Sequence, residues 1–306
     1  MENKINRVIK REKKLAIFPI VCADHCARLL NMSLAEVAND GKKLAKVLEF
    51  GYQTYQYDMV LVFSDPYVEA QALGCPVKLS PSPTLLGPKS TSVSDRTGEI
   101  IKAAELLKLR VEVPVFVSIK GPFTLASFLI GIEDFLKDLI SGRKSAEAAI
   151  NHALEFQINY LDRLLKLGVN VFIGDPVASS SVISPKTFKQ FAYEPLQILI
   201  NKIKEKGLIA GAHICGDTKP ITPMLDELGA DILSIEDITP KTKTLKMGGV
   251  STDTIFAGNK AKMAEEIKIA LNEPYLILAT SCDVPTETDM KNIKMMMEIA
   301  HTYHRN

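Results

Sequence analysis

Short apolar runs recur along the chain, and each leads into a longer amphipathic segment. There are eight: LAIFPIV (15–21), MVLVF (59–63), PVFVSI (114–119), VNVFIG (169–174), GLIAGAHI (207–214), ADILSIE (230–236), GGVST (248–252) and PYLILAT (274–280). Most are nearly continuous in β-branched and aliphatic residues, the mark of strands covered on both faces. Helical periodicity fills the spaces between, over about 95–109, 145–167, 185–205, 260–271 and 287–303. Ser33 with Glu36 three positions on is a capping box that opens a further helix. Gly168 after Leu167 and Gly229 after Leu228 read as helix stops before the next strand. The most loop-like stretch, SPSPTLLGPKSTS (80–92), is too short to separate two domains.

Eight strands alternating with helices predict a (β/α)8 barrel, a single catalytic domain spanning 1–306. The alternative is a doubly wound open sheet. The count of eight and the lack of a G-x-G-x-x-G turn after the first strand favour the barrel. A barrel carries its functional residues just past the C-terminal ends of its strands.

Two of those ends carry metal-ligand chemistry. His213-Ile214-Cys215-Gly216-Asp217 follows the fifth run, and Thr280-Ser281-Cys282-Asp283 follows the eighth. In extended backbone, residues i and i+2 face the same side, so His213 and Cys215 can aim at one point. Cys282 approaches that point from another wall. One imidazole and two thiolates form a borderline-soft set that suits Zn²⁺, and three protein ligands with an exchangeable fourth position describe a catalytic site. Other strand ends are acidic: Asp65, Asp175, Glu236 with Asp237, and Asp253. Some of these serve equally well as helix caps. Glu236 or Asp237 is a candidate fourth ligand, and Asp175 a group that orients a ligand. Gly121-Pro122-Phe123-Thr124 reads as a tight turn into a helix start, with N–H groups free for an anion or a polar edge. Cys22, Cys26 and Cys75 read as small buried hydrophobes.

Composition narrows the partners. Lys plus Arg is 37 against 36 for Asp plus Glu, a net charge of +1, which argues against nucleic-acid binding. A hydrophobic content of 46% with 24% charged residues is that of a soluble globular protein. No apolar run approaches the roughly 18 residues that span a bilayer. Five scattered cysteines argue against a disulfide framework and for a reducing cytoplasm. The basic residues 1–14 before an apolar stretch mimic a secretion signal, but Pro19 interrupts the run and Asp24 and His25 close it without a cleavage site. The first buried strand is the better reading.

Several stretches together resemble the uroporphyrinogen decarboxylase superfamily: EAQALGCPV (69–77), GPFTLASFLIG (121–131), DPVASSSVISPKTFKQF (175–191), HICGDTKPI (213–221) and SCDVPTETDMKNIKMM (281–296). Within that superfamily the chain is similar to the zinc-dependent methylcobamide:coenzyme M methyltransferases, over nearly its whole length. The resemblance implies a (β/α)8 barrel and a zinc site made by His213, Cys215 and Cys282. It implies methyl transfer between a methylated corrinoid and a thiol such as coenzyme M. The corrinoid would arrive on a separate carrier protein, since the chain has no second domain and no D-x-H-x-x-G motif. Under this reading Glu236 is the resting zinc ligand, because its strand end points inward more naturally than Asp237. Asp175 and the loop after it, with Ser179, contact substrate or corrinoid beside Gly121 and Phe123. Lys120 is the one cation placed near the mouth, and the direction of transfer is open. Two departures separate the chain from the decarboxylases. The stretch Val21–Leu30, which matches their arginine-rich motif, has only Arg28, and Cys282 stands where they carry a histidine in a Gly-His-Gly turn. Asp65 in FSD still resembles their catalytic aspartate, as retained ancestry or a repurposed site residue. Two competing readings are a decarboxylase-like lyase without metal and a non-catalytic corrinoid-handling protein.

Overall fold

The computed structural model describes residues 3–90 and 94–305. Eight parallel strands form the central sheet: β1 (Leu15–Phe18), β2 (Val60–Val62), β3 (Val115–Lys120), β4 (Asn170–Gly174), β5 (Ala210–Ile214), β6 (Ile232–Ile235), β7 (Leu245–Val250) and β8 (Leu276–Thr280). Ladders join them in the order β1–β8–β7–β6–β5–β4–β3–β2. The seam between β1 and β2 is closed by Asp58. Its N–H donates to the Ile17 carbonyl at 2.9 Å, and its carboxylate accepts the Ile17 N–H at 2.7 Å. Lys4 neutralises the same carboxylate at 2.7 Å. One residue thus supplies both halves of the missing ladder, and the sheet becomes a (β/α)8 barrel. The last two residues of the loop-like stretch, Thr91 and Ser92, lie outside the described residues. Earlier in it, Thr84–Leu85 pairs antiparallel with Val77–Lys78.

All eight strand runs appear as strands, because residues such as Ile17, Val117, Ile173, Leu233 and Ile277 are buried between barrel and helices. Inside the barrel the rings of Phe116 and Phe172 pack 5.4 Å apart. They form a plug beneath the C-terminal mouth.

Two boundaries differ from expectation. β7 begins at Leu245, three residues before the expected 248, since Lys246 and the glycine pair mask its apolar pattern; Ser251 then ends it by capping the next helix through Asp253 N–H. The expected helix 185–205 is interrupted: Pro185–Thr187 leads into a wide π turn at Phe188–Ala192, and regular helix runs only over Tyr193–Lys204. Pro195 has no N–H for the preceding turn, so the ladder widens there. The Ser33–Glu36 capping box is present. It opens a helix of only five residues, Leu34–Ala38, before Asp40 caps the long helix Gly41–Tyr55. Gly168 ends Lys144–Leu167 in the left-handed conformation, φ 69°.

Candidate metal centre

At the C-terminal mouth lies a cavity of about 210 Å³ to which every strand, or the segment directly after it, contributes a side chain. Its walls are mainly apolar, with Ile20, Phe63, Phe172 and Met247 prominent, and His213, Cys215 and Cys282 face it together. One ligand atom from each of these three lies within 4.8 Å of the others. The His213 Nε2 is 3.0 Å from the Cys215 sulfur and 4.0 Å from the Cys282 sulfur, and the two sulfurs are 4.0 Å apart. A tetrahedral zinc ion with bonds of about 2.3 Å to sulfur and 2.0–2.1 Å to nitrogen holds such atoms about 3.6–3.8 Å apart. The trio therefore fits the ion with shifts of well under 1 Å.

Each ligand is held by a neighbour. His213 pairs with Ser234 across the β5–β6 ladder. Its Nδ1–H donates to the Ser234 carbonyl at 3.2 Å, with the Ser234 hydroxyl at 3.0 Å. A carbonyl can only accept, so this bond fixes the tautomer and leaves the Nε2 lone pair facing the sulfurs. Cys215 is followed by Gly216, which takes φ 70°. A Cβ there would sit 2.6 Å from the Ser181 hydroxyl, so the turn requires glycine. The Gly216 N–H donates to the Glu236 carboxylate at 2.6 Å, and Asp217 N–H donates to Ser181 at 2.9 Å. The two thiols ionise in order. A hydrogen bond from Cys282 stabilises the Cys215 thiolate and draws that thiol down, while the same bond and burial push Cys282 up.

The other expected site residues divide. Glu236 sits beside Cys215, but its carboxylate is engaged with Gly216 and is not one of the clustered ligands. Asp237 turns away to Lys219, at 2.8 Å. Asp175 is fully buried under Gly121, where a Cβ would lie 2.2 Å from its carboxylate. It accepts the Thr124 N–H at 2.7 Å, so the helix start expected to receive an outside anion already holds this internal one. Burial pushes the Asp175 carboxyl up to about 6. Phe123, expected at the ligand, instead packs edge-on against Phe135 in the core, with centroids 4.9 Å apart. Ser179 is buried and donates to the Asp217 carbonyl at 3.3 Å, tying the β4 loop to the Cys215 turn. Asp65 is claimed by Arg96, whose two terminal nitrogens reach its two oxygens at 2.5 and 3.1 Å; Ser64 and the Tyr67 N–H add to the set. Asp65 is therefore a satisfied buried anion and not one of the residues that line the cavity. Asp253 is exposed in the first turn of its helix.

Lys120 does face the cavity. Its ammonium lies 5.0 Å over the Phe63 ring, and it is the one lysine or arginine among the described residues that line the space. Cys22 also lines the cavity, whereas Cys26 and Cys75 are buried elsewhere. Sequence reasoning missed Ser234 and Arg96. Ser234 is the lone polar residue within the aliphatic strand β6, and that irregularity was its only signal. Nothing local in the sequence marks Arg96 as the partner of Asp65.

A family model described as Uroporphyrinogen decarboxylase (URO-D) matches residues 2–303. The chain belongs to this family. Among its curated relatives, a methylcobamide:CoM methyltransferase, MtbA, of Methanosarcina mazei is 26% identical across 96% of this chain and 95% of its own length. The methylcobamide:CoM methyltransferase MtaA of Methanosarcina barkeri is 28% identical across 78% of this chain and 77% of its own. A solved methyltransferase structure from Methanosarcina mazei superposes with a TM-score of 0.88 over 99% of this chain and 100% of that one, at 22% identity, a likeness of fold. Arg28, the one arginine of Val21–Leu30, is not among the residues that line the cavity and donates to carbonyls in the loop after β8. Among the described residues no helix is long and apolar enough to cross a membrane.

Proposed function

We propose that this chain is a zinc-dependent methyltransferase that moves a methyl group from a methylated corrinoid to a small thiol. The barrel is its one catalytic domain, working in the cytoplasm. The observation that carries this reading is the convergence of His213, Cys215 and Cys282 on one cavity at the barrel mouth, a three-ligand set that would hold zinc and leave it room for a substrate. Bound there, Zn²⁺ would supply Lewis-acid chemistry that lowers the pKa of a substrate thiol.

The chain's own residues do the rest. Ser234 orients His213, and the Gly216–Glu236 contact holds the turn that carries Cys215. The apolar walls exclude water, and Lys120 offers a fixed ammonium to an acidic group on the thiol. In the transfer, the thiolate sulfur attacks the methyl carbon of the methyl–cobalt(III) substrate. A C–S bond forms, the Co–C bond breaks, and its electron pair stays on cobalt as cobalt(I). The thiol proton leaves through the mouth. The corrinoid comes on a separate carrier protein, docked over that mouth. The printed names of both relatives pair a methylcobamide with CoM, which supports the substrate pair. The metal-free decarboxylase reading is weakened by Asp65, whose oxygens are committed to Arg96.

The test is an anaerobic assay of zinc-loaded protein with methylcob(III)alamin and a panel of thiols, followed by the absorbance of cob(I)alamin. Cobalt(I) formation with at least one thiol is expected. Protein that holds no zinc and is unaffected by chelator would sink the methyltransferase reading. Zinc-bound protein that demethylates nothing would point to a corrinoid-handling role.

A further inference from the structure

Cys282 differs from its two fellow ligands. His213 lies on β5 and Cys215 one residue past it, whereas Cys282 sits in an irregular loop two residues beyond β8. That loop runs from Ser281 to Asp289 and has no ladder of its own. It is instead gripped at alternate positions by the segment after β1. The Val284 N–H donates to the Ile20 carbonyl at 2.8 Å. The Thr286 carbonyl accepts from Arg28 Nε at 2.7 Å and from His25 Nδ1 at 3.3 Å. The Thr288 carbonyl accepts from Arg28 Nη2 at 2.9 Å. The Thr286 hydroxyl donates to the Asp24 carboxylate. All three gripping side chains come from the single short helix Ala23–Leu29.

We propose that Asp24, His25 and Arg28 act as positioning residues that set Cys282 for metal binding. The inference rests on the metal reading given above. The helix is itself braced. His25 is fully buried, and its Nε2 accepts the Tyr55 hydroxyl at 2.7 Å, which locks the ring with Nδ1–H toward the loop. The pattern repeats what the other ligands receive: Ser234 for His213 and the Glu236–Gly216 contact for Cys215. A metal ligand must be held within about 0.5 Å of its working position, and outer contacts supply that restraint. In this chain Arg28 spends two nitrogens on loop carbonyls, and neither Arg28 nor His25 is among the residues lining the cavity.

The test compares wild type, Arg28→Met, Arg28→Lys and Thr286→Val for zinc affinity, by competition with a chromophoric chelator. The sulfur-to-metal charge-transfer band of the cobalt(II)-substituted proteins is recorded alongside, since a purely structural role would leave it unchanged. Arg28→Met is expected to weaken zinc binding about 10- to 100-fold and to diminish the band. Arg28→Lys should restore part of both. Thr286→Val, which leaves Arg28 in place, carries the test if Arg28→Met fails to fold, and its expected loss is smaller. Folded variants with wild-type zinc affinity and an unchanged cobalt band overturn the clasp while leaving the metal site standing. Wild-type protein that takes up neither metal overturns the metal reading, and the clasp with it.

Discussion

The Cys215 and Cys282 sulfurs lie 4.0 Å apart across the barrel mouth, although 67 positions separate them in the chain. With the His213 imidazole beside them, the two sulfurs complete a three-ligand set that suits zinc. Cys282→Ala should therefore abolish stoichiometric zinc and remove cobalt(I) formation with it. First-contact loss should exceed the roughly 100-fold weakening typical of outer-contact changes. Metal analysis of the dialysed variant checks this. Full zinc occupancy in that variant would remove Cys282 from the site.

Asp175 carries a pH signature. Its Oδ2 is buried without a hydrogen-bond partner, and burial pushes the carboxyl up to about 6. An aspartate in the unfolded chain titrates near 3.9. The folded state therefore holds the proton more tightly. The stability it contributes is complete below about pH 4 and is lost as pH rises through about 6. At about 1.4 kcal/mol per decade of proton affinity, the loss by pH 7 is about 3 kcal/mol as an upper figure. Asp175→Asn keeps an acceptor for the Thr124 N–H and cannot ionise. It should match wild type in stability near pH 4 and exceed it at pH 7. Urea unfolding at both values tests this, and parallel profiles would contradict it.

The barrel was legible because its strands are sandwiched: residues such as Val117 and Ile173 have apolar neighbours on both sides, so alternation gives way to continuous runs. β7 was the exception, since Lys246, Gly248 and Gly249 hide its start. The ligand trio was legible from the i, i+2 rule for His213 and Cys215 and from the strand end for Cys282. What stayed hidden needed pairing across the chain. Asp65 reads as a site acid until Arg96 arrives from 31 positions away. Phe123 reads as part of a ligand-facing turn until the fold sets its ring against Phe135. Asp58 gives no sign in the sequence that it closes the barrel seam.

The Asp65–Arg96 pair supplies a stability prediction. Both side chains are almost fully excluded from solvent, 0% and 3% exposed, so removing Arg96 leaves the Asp65 carboxylate buried without its counter-charge, held only by Ser64 and the Tyr67 N–H. Arg96→Met should cost about 3–5 kcal/mol of unfolding free energy. Zinc stoichiometry should survive where the variant folds, because neither residue lines the cavity. Chemical denaturation with metal analysis reads both. A variant as stable as wild type would show the pair to be solvated.

Lys120 should decide which thiol is used. Its ammonium lies above Phe63 in the cavity that the sulfurs share, and it adds to the dominant Cys282 bond in drawing the Cys215 thiol down. A charge-assisted contact in such a site contributes about 1.5–3 kcal/mol, or about 10- to 100-fold in binding. Lys120→Met should raise KM by that factor for thiols bearing a sulfonate or carboxylate and leave neutral thiols nearly unchanged. Kcat should move less than KM, since the charge acts on the remote end of the substrate and not on the sulfur. Steady-state kinetics with one acidic and one neutral thiol separate these outcomes. Equal losses for both thiols would show that Lys120 shapes the cavity without reading substrate charge, and would leave the choice of thiol to the apolar walls around Phe63 and Phe172.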